Sequence, residues 1–253
     1  MIGMAKARNS EHSAGGHAAQ FMTTRWSMVL VAGRRSSPDS RQALESLCAA
    51  YWYPLYAYVR RRVPDVNEAQ DLTQAFFAEL LAKNYVGAAK VERGRFRAFL
   101  LTALKNFLSK EWQKAKAQKR GGNKTRIPLD FERGNSQYLI EPSSGLTAEQ
   151  IYDREWAIAL LGRTMQRLET EFGDAGKKRQ FEELKGFLIG QPESATYADT
   201  AATLGMTEAA VKMASHRMRR RYRDLLREEI RETLTSPDEV EDEIAKLFAS
   251  LEL

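Results

Sequence analysis

Cysteine is all but missing from this chain. Cys48 is alone among 253 residues, which excludes an internal disulfide and leaves a thiolate zinc site without ligands. No apolar run approaches the ~18 residues that a bilayer-spanning helix needs, so no membrane partner is expected. Residues 1–20 carry Lys6 and Arg8 but no apolar centre, which is not the pattern of a secretory signal. Alternation with period two is absent over any strand-length stretch, as are internal repeats and low-complexity tracts. What is present is an ordinary globular composition, 43% hydrophobic and 28% charged, which excludes wholesale disorder. Lys and Arg outnumber Asp and Glu by 39 to 33, giving a net charge of +6 and a pI near 9.4. That balance favours a nucleic-acid partner. The expectation is a reduced, soluble, cytoplasmic, two-lobed basic protein.

Helical spacing dominates from Arg25 onward, after a leader (1–22) of small polar residues that reads as disordered. Ala43, Leu44, Leu47, Cys48 and Tyr51 fall three and four apart, and Leu55, Tyr58 and Val59 follow an expected break at Pro54. Leu72, Phe76, Leu80 and Leu81 mark a helix within 67–83. The clearest stripe is Phe96, Phe99, Leu100, Ala103, Leu104, Phe107 and Leu108. The fold class is therefore all-α. Residues 119–146 contain four glycines, two prolines and no sustained period, so 121–146 reads as a flexible linker. It separates a first domain, 23–120, from a second, 147–232. The second opens on T-A-E-Q, a capping box from Thr147 to Gln150. Ile151, Ile158, Leu161, Met165, Leu168 and Phe172 then form a stripe. Phe181, Leu184, Phe187 and Leu188 form another before Gly190 and Pro192 stop it.

Residues 196–226 have the spacing of a helix-turn-helix. Such a pair needs a small residue where its helices touch, a turn residue tolerant of positive φ, and an apolar lock on the second helix. Ala201, Gly205 and Val211 supply these, and Thr207 caps the second helix. Val211, Met218, Tyr222 and Leu225 should face inward. Lys212, His216, Arg219 and Arg223 should face outward, with Arg217, Arg220 and Arg221 beside them. Six basic residues and no acidic one lie between Lys212 and Arg223, which suits a major groove and its phosphates better than a plain solvated face. His216 has no second ligand near it in sequence, so it is not read as a metal ligand.

The helix from Phe96 carries Thr102, Lys105, Ser109, Trp112, Lys116 and Arg120 opposite its apolar stripe. Residues 105–126 hold eight basic side chains and one acidic, Glu111. A ring among lysines suits single-stranded DNA, where bases stack and ammonium groups follow phosphates. Trp112 also fits a packing role against Trp52 or Phe131. One surface for duplex and another for opened strand is the combination transcription initiation requires.

The chain resembles the extracytoplasmic-function sigma factors of RNA polymerase, and most of all the group from planctomycete-type bacteria. The resemblance covers about residues 24–230. TRWSMVL (24–30) and LESLCAAYWYPLYAYVRRR (44–62) resemble the opening helices of the family's first domain. EAQDLTQAFFAELL (68–81) resembles its polymerase-binding helix, FRAFLLTALKNFLSKEWQKAKAQKR (96–120) its promoter-melting segment, and 196–226 its duplex-reading domain. The resemblance implies that Asp71, Leu72, Gln74 and Phe77 lie against the coiled coil of the polymerase clamp. Asn106, with Lys105, would hold a flipped non-template base, and Phe99 stands where the family has an aromatic, often tryptophan. Lys212, Met213, His216 and Arg217 would face promoter duplex. Gln70, Ala75, Ala209 and Ala210 depart from the family pattern. An anti-sigma factor or a regulatory kinase is the restraining partner such a protein would have. No catalytic residue, metal or cofactor is expected.

Two other readings stand beside this one. A stand-alone helix-turn-helix regulator would bind duplex without touching polymerase. A metal-dependent nuclease would use Glu68, Asp71 and Glu79, but these share one helix without a histidine or basic partner, the pattern of solvated charge. After the second domain, Ser236-Pro237-Asp238-Glu239 reads as a capping box opening an amphipathic helix, 233–253. Val240, Ile244, Leu247, Phe248 and Leu251 line one side of it, and 237–253 holds six acidic residues against Lys246. It is expected either to shield the basic helix or to complete the second lobe's core.

Overall fold

The computed structural model describes residues 51–82, 95–117, 129–140, 145–188, 196–234 and 236–252. The leader, Ala43 to Cys48, Gly190 and Pro192 lie outside them. Among the described residues every regular element is a helix, and the fold is all-α. None of these helices is long and apolar enough to cross a membrane.

Helix α1 is helical over 51–62 and runs straight through the expected break at Pro54. Tyr51, Tyr53, Leu55, Tyr56, Ala57, Tyr58 and Val59 are all buried. A helix apolar on every side belongs at the centre of a core, and that packing holds α1 together across its proline. Helix α2 (Val66–Ala82) starts where the Asp65 carboxylate accepts the Glu68 N–H at 2.7 Å. Helix α3 (Phe96–Ala117) buries Phe96, Leu100, Leu104, Phe107 and Leu108, the stripe its spacing announces.

Helix α4 (Phe131–Ile140) lies inside the stretch expected to be linker. Asp130 accepts the Arg133 N–H at 3.1 Å to start it. A Cβ at Gly134 would come within 2.6 Å of the Trp52 ring, so glycine lets α4 lie flat on α1. Phe131 meets Trp52 and Tyr56 edge-on at 5.7 and 5.3 Å.

Helix α5 (Ala148–Asp174) begins with the expected Thr147–Gln150 capping box. Helices α6 (Lys178–Leu188), α7 (Tyr197–Leu204) and α8 (Glu208–Arg231) follow, then a 3-10 turn (Pro237–Glu239) and α9 (Val240–Ala249). The Ser236 box does not form. Asp238 N–H reaches Ser236 Oγ at 3.4 Å and Glu239 N–H its carbonyl at 3.3 Å, so the 3-10 turn uses both groups.

Two apolar clusters result. The smaller holds Leu168, Phe181, Leu184, Ala201, Val211, Ala214, Met218 and Leu225. The larger joins α1, α2 and α3 to Ile151, Tyr152, Trp156 and Leu160 of α5, Leu226 and Ile230 of α8, and Val240 and Leu247 of α9. Tyr51 stacks on Trp156 at 4.4 Å, and the Phe96 N–H donates to the Thr233 carbonyl at 3.0 Å. The larger cluster thus joins residues of the expected first lobe to residues of the second, while the smaller lies within the second. The reason is length: α5, with 27 residues, is ~40 Å long and passes through both clusters. Ile158, expected in its inward stripe, is 38% exposed because Trp156 and Leu160 turn inward beside it.

Helix α9 completes the larger cluster. With α8 it meets at Leu226 and Ile230 across an apolar cleft and at Arg227, whose Nε donates to Glu241 at 2.8 Å. These positions lie beyond Lys212–Arg223, and of the two expected roles these contacts serve core packing.

Candidate nucleic-acid interface

The α7–α8 pair is fixed at each end of its turn. Thr196 and Asp199 cap α7 reciprocally. Gly205 has φ 63°, a left-handed conformation that costs a side chain strain, and Met206 N–H returns to the Ala201 carbonyl at 2.9 Å. Thr207 Oγ1 then accepts the Ala210 N–H at 3.2 Å. Ala201 is buried where the helices meet, and Val211, Met218 and Leu225 are buried as expected. Tyr222 is half-buried and donates its hydroxyl to the Leu161 carbonyl at 3.3 Å; burial pushes its pKa up to about 12.

The outer face of α8 presents Lys212, His216, Arg217, Arg220 and Arg223, all exposed, and Met213 at 57% exposure. Lys212 pairs with Glu208 at 2.6 Å and lies over the Tyr197 ring at 5.6 Å; the Glu208 bond raises its pKa. Two arginines of this stretch are committed inward. Arg219, expected on the duplex, donates to the Phe187 carbonyl at 3.3 Å and to the Tyr197 hydroxyl at 3.2 Å. Arg221 grips Glu171 through two nitrogens at 2.6 and 2.8 Å, and Glu228 at 3.3 Å. Beside α8 opens a cleft of about 470 Å³ whose rim includes Arg217, Lys177 and Gln180.

On α3, Asn106 and Ser109 are exposed, Lys105 is partly exposed, and Phe99 and Trp112 are half-buried against the larger cluster. Trp112 therefore has the packing role that spacing allowed. The Lys116 side chain lies outside the described residues. Of the α2 residues, Asp71 is exposed, Gln74 is partly exposed and Leu72 is half-buried against the core. Phe77 is 1% exposed and packs edge-on with Phe76 at 5.6 Å, so it braces α2 from inside rather than offering a partner its ring.

Sequence reasoning passed over a second set of charges, beside the larger cluster where α3, α5 and α9 meet. Glu243 of α9 lies 2.8 Å from Arg95 and 2.5 Å from Arg97, and Arg97 also binds Asp153 of α5. Burial raises the Asp153 pKa against the pull of Arg97. The Tyr152 hydroxyl donates to the Arg97 carbonyl at 2.9 Å. Only the R-x-R spacing at the start of α3 hints at this from the sequence. Among the described residues no group of three His, Cys, Asp or Glu gathers as a metal site.

No protein-family model, curated protein or solved structure matches this chain.

Proposed function

We propose that this chain is a sigma factor of RNA polymerase, which binds core polymerase, recognises promoter duplex and helps to open it. The observation that carries the reading is the exposed basic face of α8 on a helix pair with a left-handed Gly205 turn and a Thr207 cap. In this reading α7 and α8 are the helix-turn-helix, with the N-terminal half of α8 in the major groove and Arg217, Arg220 and Arg223 on phosphates. The Lys105, Asn106 and Ser109 face of α3 meets opened strand, and Asp71 and Gln74 of α2 meet polymerase. Such a protein acts in the cytoplasm and hydrolyses nothing.

Run-off transcription with core polymerase on a promoter library tests this. Expected is specific initiation that selects one promoter class and is lost in Lys212→Ala combined with Arg220→Ala. Transcription no higher than core enzyme alone overturns the reading. The shared core favours a second one, because a stand-alone duplex-binding regulator has no need to part its halves. Capture of core polymerase by the tagged chain separates the two.

A further inference from the structure

Three donors from the first half of the chain converge on one carboxylate from the second. The Tyr58 hydroxyl donates to Glu149 Oε1 at 3.3 Å, Lys105 Nζ stands 2.8 Å from the same oxygen, and Arg62 Nη2 stands 3.6 Å from it. Arg62 and Lys105 also lie over the Tyr58 ring, at 5.1 and 6.0 Å, so phenol, guanidinium and ammonium form one surface. Glu149 reaches that surface because the start of α5 is fixed twice. Its capping box sets the first turn, and Arg61 Nε holds the Leu146 carbonyl at 3.1 Å. A hydroxyl and two cations around a single anionic oxygen are the donor set of a phosphate oxygen.

We propose that Tyr58, Arg62 and Lys105 form a site for a backbone phosphate of single-stranded DNA, and that Glu149 fills it in cis while no strand is bound. The proposal rests on reading α3 as the strand-contacting helix. The Lys105 hydrogen bond, the largest influence on Glu149, holds its carboxyl below the usual range, as an occupant of a cationic site requires. Occupancy is nonetheless easily reversed. The side chains of Lys105, Arg62 and Glu149 are 41, 39 and 39% exposed, and ion pairs so exposed stabilise little and are screened by salt. A strand that also engages Asn106 and Ser109 along α3 therefore outcompetes one carboxylate, and the Glu149 side chain has only to rotate away.

The test uses the full chain and fluorescein-labelled oligothymidylate, read by anisotropy across a salt series. Glu149→Gln and Glu149→Ala are expected to bind the strand roughly fivefold tighter than the parent. Their salt dependence should steepen by about 0.7 logarithmic units for each cation released. Adding Arg62→Ala and Lys105→Ala to Glu149→Gln should erase the gain. Thermal melting establishes that each variant folds, and Glu149→Gln keeps the side-chain shape should Glu149→Ala disturb α5. Unchanged strand affinity and slope in both Glu149 variants overturns the site, as does a gain that survives loss of both cations. The parent chain is titrated with duplex DNA and core polymerase in parallel. If those bind while the Glu149 variants change nothing, only the phosphate site is lost; if neither binds, the sigma-factor reading fails with it.

Discussion

The arginines of α8 divide according to what they touch. Arg217, Arg220 and Arg223 stand in solvent, whereas Arg221 spends its guanidinium on Glu171 and Glu228. Its bidentate grip holds the Glu171 carboxyl below the ordinary 4.5, the Arg221 hydrogen bond outweighing the desolvation that opposes it. A depressed folded pKa contributes stability that is present above the unfolded value and lost as pH falls through the folded one. Glu171→Gln should therefore cost about 1 kcal/mol at neutral pH, a figure kept small because both side chains are more than a third exposed. The difference from the parent should vanish in acid well below pH 4.5. Urea unfolding of both proteins across that range measures it, and a pH-independent difference would show that the pair's charge is irrelevant. The basic character of this face was legible from spacing alone. Which arginines it keeps for a partner was not, because Glu171 and the Phe187 carbonyl lie 50 and 32 residues away from the groups they hold.

Among the elements, α9 takes the packing role that its apolar side allowed. Its acidity suggests a shield for a basic helix, yet Glu243, 2% exposed, is buried between Arg95 and Arg97, and Val240 and Leu247 enter the core. A buried pair broken from one side leaves charge without compensation, at a cost of ~3–5 kcal/mol. Glu243→Ala should lose that much in denaturant unfolding. A loss under ~1 kcal/mol, the range of exposed pairs, would mean that α9 is held by its apolar face alone. Helix α4 was illegible for a different reason. FERGNSQYLI has a glycine at its middle and polar residues around it, and glycine normally weakens a helix by ~0.5–1 kcal/mol. Here Gly134 is required by the Trp52 ring. The Asp130 cap was the one local signal for it. By contrast the stripe of α3 and the caps of α5 and α8 read directly from sequence, because each depends on neighbours three or four residues apart.

For the molecule as a whole, the question is whether its two clusters behave as one folding unit. Helices α5 and α8 run through both, with Leu168 and Leu225 in the smaller and Leu160 and Leu226 in the larger. Loss of order in either cluster therefore removes partners from two long helices that the other needs. Among the described residues, Trp52, Trp112 and Trp156 pack in or against the larger cluster and the smaller contains no tryptophan; Trp26 lies outside the described residues. In a Trp26→Phe background indole emission consequently reports on the larger cluster, while far-ultraviolet circular dichroism reports helix throughout. Leu184, fully buried in the smaller cluster, is the position at which to cut. Leu184→Ala should cost ~2–5 kcal/mol through lost burial and a residual cavity. If the clusters are coupled, the urea midpoint falls by the same amount in both signals, because the helices carry the damage to a cluster the substitution never touches. A circular-dichroism transition that moves while the emission transition stays in place would mean two independent units. The halves could then part without unfolding, as the proposed sigma-factor function would require. Coincident shifts would instead imply that, under the proposed function, any opening must be driven by the binding energy of its partners.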